Sequence, residues 1–486
     1  MSNNERPKDP QGAGMWQRDL RRRTFLRSAG LGFGSVALNL LLNKEAMAAP
    51  AAGDEGVLKE LHFPPRAKRI IHLCMAGGPS QLESFDYKPR LKELDGQPFP
   101  ESFTAGQQLA QLQNTPLKAF GPQAEFRKWG ASGQEISELF PEIGGIADQI
   151  CILRSLHTEQ INHDPAHAFM NSGSIIKGRP SMGSWLLYGL GNATENLPGF
   201  VVMTSTSRCG GAQPISARQW SAGFLPSRFQ GVQFQSRGAA VHYIGNPEGV
   251  CQSAQRQLID EVNQLNRLAN ERYRDPELET RIAQYELAAR MQTSIPELTD
   301  FSGETQETLD LYGVKQPGDG SFASNCLLAR RLAERGVRMI QLYHRSWDHH
   351  GNLKNDMAIA ARDVDRASAA LVRDLQRLGM LDETIVIWGG EFGRTPMGQG
   401  NGRDHHILSM CAWVAGGGFR GGLTYGATDE LGYRAVEDPV SVHDLHATLL
   451  RQFGVDHKRL TYRYQGRDFR LTDVSGEIVT EICQPS

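Results

Sequence analysis

The 486-residue sequence lacks any cysteine spacing that would signal a disulfide framework or a zinc ribbon. Its seven cysteines, at positions 74, 151, 209, 251, 326, 411 and 483, are odd in number and include no CxxC pair. Several lie in apolar, strand-like runs such as Ile70-Ile71-His72-Leu73-Cys74-Met75, where a thiol acts as a small buried hydrophobe. The chain also lacks an excess of charge of either sign. With 52 basic and 54 acidic side chains its net charge is −2, so nothing suggests the concentrated basic face that nucleic acid or an anionic membrane surface requires. Long hydrophobic runs are scarce as well: the mild apolar run near the start, Ala29 to Leu42, holds 14 residues, against the roughly 20 of a membrane-spanning helix. What is present, 40% apolar residues and 52 glycines, is the balance of a globular chain with a sizeable core.

Charge is nevertheless distributed unevenly. Residues 1–48 carry a net +4, which leaves −6 on the remainder. Arg22-Arg23-Thr24-Phe25-Leu26-Arg27, the apolar run and then Ala46-Met47-Ala48-Ala49 follow the basic, apolar and small-residue order of a signal peptide. The paired arginines before Phe-Leu-Arg resemble a twin-arginine signal. The expectation is export by the twin-arginine machinery after folding, to the periplasm or cell envelope, with no membrane span in the mature chain.

Beyond a Pro-containing linker at 49–65, short apolar runs alternate with helical stretches, as in an α/β domain around a mostly parallel sheet. Strands are expected at Arg69–Met75, Ile150–Arg154, Gly199–Thr204, Val337–Tyr343, Thr384–Trp388 and Cys411–Ala415. Helical spacing of Leu258, Ile259, Val262, Leu265 and Leu268, and of Met357, Val364, Leu371, Leu375 and Leu378, predicts two helices that cover the sheet. Residues of about 200–320, first Gly-, Ser- and Gln-rich and then helical, read as an insertion or cap.

Ligands of open α/β sheets bind beyond the carboxyl ends of the strands, so the polar residues that follow each run carry the functional information. Eight of the fourteen histidines fall in three such loops: His157, His163 and His167; His344, His349 and His350; His405 and His406. Imidazole together with carboxylate suits zinc or a similar first-row divalent ion. Adjacent histidines in an extended loop point apart, so one of each pair is expected to ligate and the other to play a structural part. Glu83, Asp86 and Glu391 offer further carboxylates. Arg154, Arg394 and Arg403 could each pin an anionic group or serve an internal ion pair. His443 and His446 share one face of a capped amphipathic helix, where a metal role is the lesser expectation.

Met75-Ala76-Gly77-Gly78-Pro79-Ser80-Gln81, Gly183-Ser184-Trp185-Leu186, Trp347-Asp348-His349-His350, Glu391-Phe392-Gly393-Arg394-Thr395-Pro396, Gly402-Arg403-Asp404-His405 and Gly466-Arg467-Asp468-Phe469-Arg470 resemble the twin-arginine-exported family called domain of unknown function 1501. That family is similar to sulfatases and sits in the alkaline phosphatase superfamily. The resemblance runs from about residue 66 to 475, leaving 476–486 as a tail. It implies a three-layer, sulfatase-like α/β domain with a largely helical insertion. It also implies a divalent-metal site of Asp348, His350 and His405, with Glu391 as ligand or general base.

Counting back ten residues from Gly173, as in the sulfatase nucleophile motif, reaches His163, with His167 on the motif's arginine as a substrate-binding position. The usual Cys, Ser or Thr nucleophile is thus absent. His163 is left as a nucleophile or general acid, or as a metal ligand, and Phe392 stands where a histidine ligand would. Two functions are carried forward. The first is an exported metal-dependent hydrolase of a small phosphate or sulfate ester, or of a sulfated or phosphorylated polymer. The second is a non-catalytic envelope protein that uses the fold to bind a polysaccharide or protein partner.

Overall fold

A computed structural model describes residues 55–107, 109–210, 213–241, 245–246, 249–273 and 276–485. The expected signal peptide, residues 1–48, lies outside the described residues, as does the start of the linker. The central element is a nine-stranded sheet. Its strands are β1 (Arg69–Met75), β2 (Ile150–His157), β3 (Phe200–Ser205), β4 (Val232–Gln233), β5 (Met339–His344), β6 (Thr384–Gly389), β9 (Met410–Ala415), β10 (Leu423–Tyr425) and β11 (Val440–Ser441). A separate hairpin pairs β7 (Gly393–Gln399) with β8 (Gly402–His406). The helices that matter here are α1 (His163–Ser172), α2 (Met182–Leu190), α3 (Gln252–Tyr273), α4 (Pro276–Thr299), α5 (Phe322–Glu334), α6 (Leu353–Arg377) and α7 (Val442–Gln452).

Spatial order in the sheet is β10-β2-β9-β6-β1-β5-β3-β4, with β11 also on β2. Every pairing is parallel except those of β9, which runs against β2 and β6. The near-continuous apolar strands explain this arrangement: Ile70, Ile71, Leu73 and Met75 of β1 are fully buried, as a strand covered on both faces requires. Cys411–Ala415 is accordingly the one expected strand of opposite direction.

Two expectations change. The stretch from about 200 contributes β3 and β4 to the main sheet, with Val201, Val202 and Met203 fully buried, so the helical excursion narrows to α3 and α4. And α3 does not cover the sheet. It packs on α4 through Asn263 and Arg256, which bond Glu286 at 2.7 and 3.1 Å, while Leu258, Leu265 and Leu268 are 41%, 66% and 54% exposed. Helix α6 buries Met357, Val364, Leu371 and Leu375 as expected, but Leu378, at its C-cap, is 38% exposed. All seven cysteines are free thiols; Cys74, Cys151, Cys326 and Cys411 are buried.

The described residues from 55 to 463 and from 468 to 485 form one compact unit. Residues 464–467, a turn with positive φ at Gln465 and Gly466, fall outside it. No helix among the described residues is long and apolar enough to cross a membrane.

Candidate metal centre

Register fixes where the chemistry collects. Strand β1 pairs with β5 and β6, setting Met75 beside His344 and Cys74 beside Gly389, so the loops after three adjacent parallel strands emerge together. The first loop supplies Gly77-Gly78, the second Asp348 and His350, and the third Glu391. Helix α1 presents His163 at its first turn and His167 one turn on. In the β7–β8 hairpin Arg394 lies opposite His405.

Asp348, His350 and His405 converge. Asp348 Oδ1 lies 3.0 Å from His350 Nε2 and 3.2 Å from His405 Nε2, and the two Nε2 atoms are 2.9 Å apart. The other nitrogen of each ring faces an oxygen. His405 Nδ1 is 2.8 Å from the backbone carbonyl of Ile161, and His350 Nδ1 donates to Gln399 Oε1. A carbonyl only accepts, so the Nδ1 positions carry protons, and in the neutral rings the Nε2 lone pairs point at one another and at a carboxylate oxygen. Three electron-pair donors in one triangle favour positive charge between them, part of which Arg394 supplies at Asp348 Oδ1. A shared proton satisfies one edge of the triangle, whereas a cation satisfies all three. Zn–N bonds of about 2.0–2.1 Å in a tetrahedron separate the ligand atoms by about 3.3 Å, close to the spacing found. Burial lowers the pKa of His405, which keeps the ring neutral as a ligand must be.

Asp348 is held in place by Arg394, whose Nη2 is 2.6 Å from Oδ1. Burial would raise its pKa, but the hydrogen bond from His163 and the Arg394 charge hold it well below the ordinary carboxylate range.

His163 bridges two carboxylates, with Nδ1 2.7 Å from Glu391 Oε1 and Nε2 3.1 Å from Asp348 Oδ2. Burial disfavours its charged form, yet the bonds and charges of Asp348 and Glu391 prevail and raise its pKa to about 9. It is placed where it can donate a proton, contact an anion or, with Asp348 and His405, hold an ion.

Glu391 is fully enclosed. Its oxygens accept the Gly77 N–H at 2.9 and 3.1 Å and the Gly78 N–H at 3.2 Å, and His167 Nε2 lies 3.3 Å away. Burial alone would raise its carboxyl, but His167 and His163 hold it down at about 2. Glu391 thus stands behind His163 as its counter-ion instead of in the Asp348 triangle. His167, expected to meet substrate, is 3% exposed and faces Glu391.

The arginines expected to pin an anion are committed inside the protein. The Arg403 side chain is fully buried, directing Nε and Nη2 to Glu83 and its remaining N–H groups to the carbonyls of Phe120, Thr395 and Gly121. Arg394 holds Asp348 and the carbonyls of Gly77, Gly78 and Arg403. The same pairing removes Glu83 from the list of spare metal ligands. Asp86 is likewise occupied, 3.0 Å from Lys88 Nζ and bonded by Thr428.

Phe392 packs against both His163 and His405, its ring centroid 5.0 and 4.4 Å from theirs. The centre stays open to solvent through Asp348 and His350, whose side chains are 25% and 26% exposed. Gln399, absent from the residues singled out in sequence, directs His350. No motif marks it, because its role comes from the hairpin that folds it back.

Among solved structures the chain is similar to the PsFucS1 sulfatase from Pseudoalteromonas sp., with 13% identity, a TM-score of 0.34 and coverage of 80% of this chain and 68% of that one. It is also similar to the lipoteichoic acid synthase LtaP from Listeria monocytogenes, with 9% identity, a TM-score of 0.33 and coverage of 81% and 74%. A third similarity is to a TAB5 alkaline phosphatase mutant with Mg bound, with 12% identity, a TM-score of 0.29 and coverage of 74% and 92%. A comparison with curated proteins gives no match. The family model described as a protein of unknown function (DUF1501) matches residues 67–483, and the chain belongs to that family.

Proposed function

We propose that this chain is a metal-dependent hydrolase of anionic esters, phosphate or sulfate, working with one divalent ion held by Asp348, His350 and His405. The observation that carries this reading is the triangle of two imidazole Nε2 atoms and a carboxylate oxygen, 2.9–3.2 Å apart and reachable from solvent. A divalent ion bound there supplies Lewis-acid polarisation of an ester oxygen and activation of water.

The chain's own residues divide the remaining work. Arg394 fixes Asp348. Glu391, braced by the Gly77 and Gly78 amides, keeps His163 doubly protonated at the rim of the centre, where it can contact an anionic substrate and hand a proton to the departing alcohol oxygen. Phe392 closes the inner side against water.

Metal analysis of purified protein, with turnover of aryl phosphate and aryl sulfate esters, tests the proposal. One ion per chain and metal-dependent turnover are expected, with both lost in His405→Ala. Bound metal without turnover of any ester would sink the hydrolase reading in favour of a binding protein. An unaltered metal content in His405→Ala would sink the site itself.

We also propose export by the twin-arginine route, from the Arg22-Arg23 segment. The double substitution Arg22→Lys with Arg23→Lys is expected to leave precursor in the cytoplasm, and continued export would reject the assignment.

A further inference from the structure

We propose that Gln399 is a positioning residue that decides whether His350 can bind metal, and that Gln111, from the loop across the hairpin, sets the orientation of the Gln399 amide. The inference rests on the metal reading above.

The three ligands are oriented by different means. Arg394 holds Asp348, and His405 leans on the backbone carbonyl of Ile161, which cannot change its polarity. His350 leans on a side-chain amide, whose two ends are opposite in hydrogen-bonding sense. With Oε1 toward the ring, His350 carries its proton on Nδ1 and presents a lone pair at Nε2. With the amide reversed, the NH2 group faces Nδ1, the proton moves to Nε2, and the lone pair that would bind metal is gone. Gln399 Nε2 donates to Gln111 Oε1 at 2.8 Å, which favours the first orientation. The loop bearing Gln111 is itself fixed, because Asp404 Oδ2 accepts the Gln111 and Leu112 amides at 2.6 and 3.0 Å.

His350 is also the ligand with the least other support. Its side chain is 26% exposed, and its loop passes through left-handed conformations at Ser346 (φ 78°) and Asn352 (φ 50°). Affinity is therefore most sensitive to whatever holds this ring.

The test is zinc titration of metal-stripped full-length protein by chelator competition, alongside thermal melting without metal. Gln399→Leu removes the acceptor and is expected to weaken zinc binding about 10–100-fold. Gln399→Glu, which only accepts, should restore wild-type affinity. Gln111→Ala should fall between, because the amide is then unbiased. The metal-free melting temperatures of all three should match wild type, since Gln399 and Gln111 are surface residues of an ordered hairpin and loop. Wild-type affinity in Gln399→Leu, or no recovery in Gln399→Glu, overturns the proposal while leaving the metal site standing. Failure of the wild type to bind zinc overturns both.

Discussion

Two adjacent glycines determine what Glu391 is able to be. Gly77 and Gly78 have φ of 123° and 71°, so successive N–H groups turn toward one carboxylate. A Cβ on Gly77 would lie 2.5 Å from the Asp348 nitrogen, and one on Gly78 would lie 2.5 Å from the Phe392 ring. Gly78→Ala is therefore expected to cost about 2–4 kcal/mol in urea denaturation, combining backbone strain, displacement of Phe392 and a weakened hold on a buried charge. A loss below 1 kcal/mol would show that the nest is dispensable. At this scale the sequence was legible in residue type. The strand-end histidines and carboxylates do meet, and Asp348, His350 and His405 meet as a set. Partnership was not legible: Glu391 and Gly77 are 314 positions apart, and nothing local shows that Arg403 will be used up by Glu83 or that His167 will face inward. Charge and motif say what a side chain can do, while the packing of distant loops says which neighbour takes it.

Elements hold the centre through their ends. Helix α1 starts at His163 and finishes at Gly173 in a left-handed cap, and there α7 takes hold of it. His443 Nε2 lies 2.8 Å from the Gly173 carbonyl and His446 Nε2 2.9 Å from that of Met170, so two histidines satisfy carbonyls that a helix C-terminus leaves without partners. The three-residue spacing on α7 sets both histidines on one face, and that face caps α1. His446→Leu should cost about 1–3 kcal/mol by stranding a buried carbonyl, with zinc stoichiometry unchanged, as denaturation and metal analysis would report. Helix α6 makes a comparable attachment that depends on pH. Asp365 accepts the Glu142 and Ile143 amides at 3.0 and 2.8 Å, yet burial raises its carboxyl from 3.8 to about 6. The folded-state value is the higher one, so protonation favours folding: the benefit is complete below about pH 3.8 and is lost as pH rises through about 6. Asn at this position does not titrate. Wild-type stability relative to Asp365→Asn is thus expected to fall by about 2–3 kcal/mol between pH 4 and pH 7, and a difference independent of pH would refute the shift. Helix periods were legible here, but not always their direction: the α3 leucines repeat as a helix should and yet face solvent, because Asn263 and Arg256 commit the opposite face to α4.

For the whole molecule, the ligands matter because of where they come from. Asp348 and His350 follow β5, His405 sits on a hairpin outside the main sheet, and the ring of His405 rests on Ile161, just ahead of α1. One ion would therefore tie the sheet, the hairpin and the approach to α1 together, and those segments separate when the chain unfolds. An ion that binds the folded state and not the unfolded one stabilises it by RT ln(1 + [L]/Kd), about 4 kcal/mol at a thousandfold excess over Kd. Calorimetry of metal-stripped protein should accordingly show a melting temperature that climbs with the logarithm of zinc concentration and returns on chelation. In His405→Ala, which removes one corner of the triangle, the climb should be absent, and the unliganded protein should itself melt below wild type, because the buried ring also satisfies the Ile161 carbonyl. A zinc-dependent rise that persists in His405→Ala would mean that the stabilising ion sits elsewhere. The sheet would then be keeping its strand-end carboxylates and imidazoles together by their mutual hydrogen bonds alone.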